Sequence, residues 1–179
     1  MKLFILKTEK LKYEENDHTR AFFFKKDKDI IMGSLYIKKF FLNYLKVDVN
    51  MYKLLKNEHG KPYFKHNEKN IIINFNISHD GTYVVLFYDN NKHVGVDLVN
   101  LKRKIDIVLL KNILHQDEKK NSYNDIFFHI WAFKEAYYKY IGSGISLENT
   151  NKISYHDKMT IYNNISITEG GILNSYHAY

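Results

Sequence analysis

"IWAFKEAYYKYIG", residues 130–142, reads as an amphipathic helix that stops at Gly142, because glycine is the usual residue just past a helix end. Trp131, Glu135 and Lys139 recur at four-residue spacing, with Tyr138 beside them, so they share one helical face. A surface ion pair beside an aromatic stripe accounts for this much, since exposed Glu–Lys pairs one turn apart are common and worth little. Whether the pair belongs to a site depends on what the rest of the chain brings to it.

Upstream, "VGVDLV" (94–99) is a strand in which Val94, Val96 and Leu98 point one way and Gly95, Asp97 and Val99 the other. An acid inside an apolar strand is costly unless it is paired or bound to a cation. At a strand end facing water, Asp97 would need no partner, and a lone GxD is a weak signal. If the helix packs on this strand, Asp97 and Glu135 converge. One or two carboxylates plus substrate phosphates is the common way of holding Mg²⁺, and Lys134 and Lys139 would then border a site suited to phosphate oxygens.

Further out, "MKLFILK" (1–7) looks like a first strand and "DIIMGSLYIKKFFLNYL" (29–45) a long amphipathic helix, with Ile31, Leu35, Leu42 and Leu45 at helical spacing. "NEHGKPYF" (57–64) is a turn leading into a short extended piece. "IIINFNIS" (71–78), "TYVVLFYD" (82–89) and "HVGVDLV" (93–99) are strands, separated by turns at "HDG" (79–81) and "DNN" (89–91). Helices are expected near 106–115 and 123–141, and short strands in "KISYH", "MTIYN" and "ILNSYHAY". This order predicts two α+β halves, 1–92 and 93–179, with no Pro- or Ser-rich linker between them.

Composition sets the bounds. The 179 residues are 45% hydrophobic and 16% aromatic, enough for a real core and unlike a disordered chain. With no cysteine, disulfides and thiolate metal sites are excluded. No stretch approaches the ~20 apolar residues of a membrane helix, and the opening apolar run is too short for a signal peptide. The expectation is a soluble cytoplasmic protein. A net charge of +7 suits an anionic partner, whether nucleic acid, a phosphorylated small molecule or an acidic protein. The chain is rich in Lys, Asn, Ile and Tyr throughout, and charge alone does not choose among these partners.

Four segments together carry a resemblance: "GKPYF" (60–64), "FNISHD" (75–80), "VGVDLV" (94–99) and "WAFKEAYYK" (131–139). In this order and at similar spacing they are similar to the "GKP", "FNxSHS", "GxD" and "WxxKExxxK" segments of the 4′-phosphopantetheinyl transferases, specifically the two-half, surfactin-synthetase-activating type. The likeness runs from about Asp27 to about Leu147, where "GSGISL" also fits. It implies an α+β fold of two similar α/β halves related by a pseudo-twofold, with coenzyme A in the cleft between them. It also implies an Mg²⁺-dependent enzyme that moves the 4′-phosphopantetheine arm of coenzyme A to a serine of an apo acyl or peptidyl carrier protein and releases 3′,5′-ADP. Such carriers serve fatty acid, polyketide or nonribosomal peptide synthesis. A monomer is expected, since both sides of the cleft lie in one chain, with no nucleic acid or membrane as partner.

Residue by residue, the resemblance makes Asp97 and Glu135 the metal acids, with Asp97 in the cofactor site and Glu135 also the base for the serine proton. Lys139 neutralises the pyrophosphate, and Lys134 supports it or the carrier. Ser78, His79 and Lys61 match the coenzyme A-binding segments. Lys38 aligns with a basic residue that reaches the 3′-phosphate, and Lys25, Lys26 and Lys28 lie where further basic contacts occur. Trp131 is core packing beneath the site. Two positions depart from the pattern: Val99 replaces a second acid two residues after Asp97, and Asp80 replaces the serine after the histidine. The tail lacks a strand usual after "ILNSYHAY", so the second half is expected either to be trimmed or to be an incomplete version. An inactive coenzyme A- or carrier-binding relative, and a basic nucleic-acid-binding protein, remain the competing readings of the sequence.

Overall fold

The protein is an α+β fold built on antiparallel sheets, seen in a computed structural model that describes residues 2–7, 44–80, 83–90, 92–100, 104, 107–120, 127–154, 162–167 and 171–177. Lys25, Lys26, Lys28 and Lys38, and the helix expected at 29–45 save its last two residues, lie outside the described residues. The strands are β1 (Lys2–Lys7), β2 (Tyr52–Lys56), β3 (Pro62–His66), β4 (Ile72–Asp80), β5 (Tyr83–Asp89), β6 (Val94–Asn100), β7 (Tyr162–Ile167) and β8 (Gly171–His177). The helices are α1 (Ile107–Ile113), α2 (Phe127–Ile141) and the single turn α3 (Leu147–Thr150). A five-stranded sheet runs β1-β5-β4-β3-β2, and a three-stranded sheet runs β6-β8-β7. No helix among the described residues is long and apolar enough to cross a membrane.

In the five-stranded sheet, alternation divides the side chains between two faces. Ile73 and Phe75 of β4, Val84, Leu86 and Tyr88 of β5, and Phe64 of β3 form one buried cluster. On the opposite face, Val85 and Phe87 pack against Val94, Val96 and Leu98 of β6. Strand β5 therefore has both faces covered, which is why its sequence reads as an unbroken apolar run. β6 also uses both faces: Val99 joins Ile113, Leu114, Phe127, Phe128 and Ile130 on the helical side.

Strand β2, which the sequence reading passed over, pairs with β3 from Tyr52↔His66 to Lys56↔Pro62. Its alternation of Tyr52 and Leu54 with Lys53 is too short to stand out. β4 runs two residues past the expected end, with His79 and Asp80 still paired to Val84 and Tyr83 of β5, and the Asp80 side chain accepts a hydrogen bond from the Asn100 backbone N–H at 2.7 Å. Residues 151–154 form a turn and bend where the strand "KISYH" was expected to begin, following the turn α3. Helix α2 ends as expected: Gly142 takes φ +76° and its N–H returns to Tyr138 O at 2.9 Å.

Candidate active site

The site begins with a glycine. A Cβ at Gly95 would overlap the Ala136 carbonyl oxygen and lie 2.5 Å from the Tyr140 backbone nitrogen. Only a residue without a side chain lets α2 lie this close to β6. Two residues on, Asp97 meets the same face of the helix, where Glu135 and Lys139 project.

Asp97 is only 3% exposed, so its carboxylate needs partners. Lys139 Nζ donates to Asp97 Oδ1 at 2.6 Å and Ser78 Oγ donates to the same oxygen at 2.8 Å. Lys139 Nζ also lies 3.1 Å from Ser78 Oγ and 3.4 Å from Glu135 Oε2. Burial, then the neighbouring Asp97, pushes the Glu135 carboxyl up to about 7, against the opposing pull of Lys139. Burial alone would lower the Lys139 pKa, but Asp97 and Glu135 together hold it above the ordinary lysine value.

Strand β4 supplies the other wall. β6 lies at the edge of its own sheet, so its outward N–H groups need acceptors once buried. Alternate β4 side chains provide them: Val96 N–H donates to Asn76 Oδ1 at 3.0 Å, Leu98 N–H to Ser78 Oγ at 3.2 Å, and Asn100 N–H to Asp80 Oδ2 at 2.7 Å. Each pair is 20 residues apart, so one register joins the two sheets along the length of the site. Asp80, one of the two departures noted in the sequence, is buried as part of this ladder.

A cavity of about 320 Å³ opens between these elements, lined by Ser78, His79, Asp80, Asp97, Val99, Trp131, Glu135 and Lys139 among others. His79 is exposed, and Trp131 both lines the cavity and packs on the Phe127 cluster. Chemically the cavity offers the carboxylates of Asp80, Asp97 and Glu135, a lysine ammonium, a hydroxyl and an imidazole. Among the described residues no three His, Cys, Asp or Glu converge as a metal cage. The paired oxygen donors of Asp97 and Glu135 are of the kind that suits a hard dication taking its remaining ligands from phosphate and water. Val99 supplies no donor; it is buried with Ile113 and Leu114.

Two lysines expected at the site lie elsewhere. Lys134 is fully buried, with Nζ 2.6 Å from Glu118 Oε2 and 2.8 Å from Ile113 O. Glu118 Oε2 also accepts the His115 N–H at 2.7 Å, so the pair anchors the segment after α1 beneath α2. One residue before Glu135 is about 100° around a helix, which turns Lys134 away from the cavity. Lys61 was expected among the coenzyme A-binding residues. Instead Nζ donates to the backbone carbonyls of Val94 at 2.6 Å and Tyr140 at 3.1 Å. Sequence reasoning missed Asn76 and Asp80 as acceptors and Glu118 as the partner of Lys134.

Comparison with known proteins adds a second line of observation. Residues 1–91 match the family model "4′-phosphopantetheinyl transferase, N-terminal", and residues 93–177 match "4′-phosphopantetheinyl transferase superfamily". Among curated proteins, the chain is 33% identical over 122 residues to "4′-phosphopantetheinyl transferase gsp" of Aneurinibacillus migulanus, covering 64% of this chain and 48% of that protein. It is 29% identical over 147 residues to "4′-phosphopantetheinyl transferase ffp" of Bacillus subtilis, covering 75% and 61%. It is 29% identical over 161 residues to the human "L-aminoadipate-semialdehyde dehydrogenase-phosphopantetheinyl transferase", covering 80% and 52%. The chain thus spans about half the length of the curated relatives it matches.

Proposed function

The chain belongs to the 4′-phosphopantetheinyl transferase superfamily, and on that premise we propose that it transfers the 4′-phosphopantetheine arm of coenzyme A to a serine of an apo acyl or peptidyl carrier protein. The observation that carries this reading is the meeting of Asp97, Glu135, Lys139 and Ser78 in one cavity where β4, β6 and α2 come together. Two family models that adjoin near residue 92 support reading residues 1–92 and 93–179 as two halves related by a pseudo-twofold, with coenzyme A between them.

In this reading the carrier serine oxygen bonds to the β-phosphorus of coenzyme A. The bond from that phosphorus to the bridging oxygen breaks, and 3′,5′-ADP leaves with that oxygen. Phosphoryl transfer of this kind needs positioning and charge stabilisation more than covalent help. Glu135 takes the serine proton, directly or through water. Lys139 turns an N–H toward the pyrophosphate oxygens that gain charge. Ser78 holds Asp97 in place, and His79 at the exposed rim faces the nucleotide end. Asp97 and Glu135 would hold Mg²⁺, which when bound supplies Lewis-acid neutralisation of the pyrophosphate. Lys38 remains assigned to the 3′-phosphate.

The test is product release. The chain, Mg²⁺, coenzyme A and an apo carrier are mixed and nucleotides separated by chromatography. Stoichiometric 3′,5′-ADP that depends on the carrier supports the reading; coenzyme A left intact with every carrier tried rejects it.

A further inference from the structure

The turn between β2 and β3 reaches across to the elements that carry the site. Asn57 Oδ1 accepts the backbone N–H groups of His59 at 3.0 Å and Lys61 at 2.8 Å, which fixes the turn. The Lys61 side chain then packs on Gly142, where an added Cβ would lie 3.2 Å from Lys61 Cδ and 2.8 Å from Asn57 Nδ2. Its ammonium ends between Val94 O and Tyr140 O.

Those two carbonyls occupy telling places. Val94 precedes Gly95, the point of closest approach between β6 and α2, and Tyr140 follows Lys139. Tyr140 O belongs to the last turn of α2, where carbonyls lack intrahelical partners and the negative end of the helix favours a cation. One ammonium from the five-stranded sheet therefore joins the strand that carries Asp97 to the helix that carries Glu135 and Lys139. Both acceptors are backbone atoms outside the cavity lining, so the charge is directed into the fold and away from the phosphate site.

We propose that Lys61 is a positioning residue for the transfer reaction, clamping the C-terminal end of α2 to the start of β6 so that Glu135 and Lys139 keep their places against Asp97. The inference rests on the transferase reading given above. It differs from a phosphate-binding role in what it leaves untouched: removing the clamp misplaces reacting groups but takes no contact from coenzyme A.

The experiment compares wild type, Lys61→Met and Lys61→Arg by steady-state kinetics with Mg²⁺, coenzyme A and an apo carrier, and by amide hydrogen exchange. In Lys61→Met, kcat is expected to fall by about 10- to 10²-fold, the scale of a displacement of about 1 Å at a reacting centre. KM for coenzyme A should stay within about twofold, since no uniform binding is lost. Exchange should quicken in residues 138–142 and 94–96, and Lys61→Arg, which can donate to both carbonyls, should recover both properties. Wild-type kcat in Lys61→Met, with or without a raised KM, overturns the proposal, as does unchanged exchange. If the wild type itself transfers nothing, the transferase reading fails while the exchange data still judge the clamp. Should Lys61→Met not fold, amine acylation of the wild type decides. Coenzyme A slowing modification of Lys139 but not of Lys61 supports the clamp, and equal protection of both overturns it.

Discussion

Lys139 Nζ and Asp97 Oδ1 meet at 2.6 Å across the contact between α2 and β6, with Glu135 Oε2 3.4 Å from the same ammonium. The carboxyl of Glu135 is held up at about 7 by burial and by Asp97. Removing that charge should lower it. In metal-free Asp97→Asn, side-chain carbon NMR should show the Glu135 titration midpoint below its wild-type position, since Lys139 then faces a single carboxylate. A midpoint that stays or rises would show that Asp97 does not act on Glu135.

Gly95→Ala puts a methyl group against the Ala136 carbonyl and the Tyr140 nitrogen, both backbone atoms that cannot swing aside. Overpacking of this kind typically costs about 1–3 kcal/mol. Denaturant unfolding should register that loss. Transfer by the folded fraction should also drop, because α2 must lift Glu135 and Lys139 away from Asp97. A variant with native stability and turnover would mean that the close approach is dispensable.

Lys134→Ala leaves the fully buried Glu118 without its ammonium. Breaking a buried pair in this way costs on the order of 3–5 kcal/mol, whereas replacing both partners with apolar residues is far milder. Unfolding free energies of Lys134→Ala and of Lys134→Met with Glu118→Leu should show that order. KM for coenzyme A in the folded double variant should match the wild type, because neither side chain lines the cavity. A raised KM would return Lys134 to the phosphate site.

Burial lowers the Lys61 pKa from 10.5 to about 8. Between those values the unfolded chain binds a proton that the folded protein does not, so folding becomes more favourable as pH rises from about 8 to 10.5. Below about 8 the penalty is constant. The stability of the wild type minus that of Lys61→Met should therefore climb across that window. A flat difference would place Lys61 in water, and one that falls with pH would mean that its carbonyl partners outweigh burial and raise its pKa.

Much of the site's framework was legible because it is periodic. Strict alternation in "VGVDLV" set Asp97 and Gly95 on one face, and four-residue spacing set Glu135 and Lys139 on another. Their meeting then needed only that the helix lie on the strand. What stayed hidden depends largely on partners distant in the chain, many of them backbone groups, which have no sequence signature. The partners of Lys61 are carbonyls 33 and 79 residues away, so a lysine in a Gly-Pro turn reads as a surface charge. Asn76, Ser78 and Asp80 alternate with apolar residues as a solvent-facing side would, yet they face the edge of β6. Glu118 sits in the polar run "HQDEKK" and gives no hint that it is buried beneath α2.

The most direct test of the account weighs the carrier. A panel of apo acyl and peptidyl carrier proteins is incubated with Mg²⁺, coenzyme A and either the wild-type chain or Asp97→Ala, and each carrier is measured by intact-mass spectrometry. The account predicts that at least one carrier gains the mass of a single phosphopantetheine on its serine with the wild type, and that Asp97→Ala leaves the same carrier unmodified. Equal modification by both proteins would contradict the site, and no modification of any carrier by a wild type that binds coenzyme A would contradict the function.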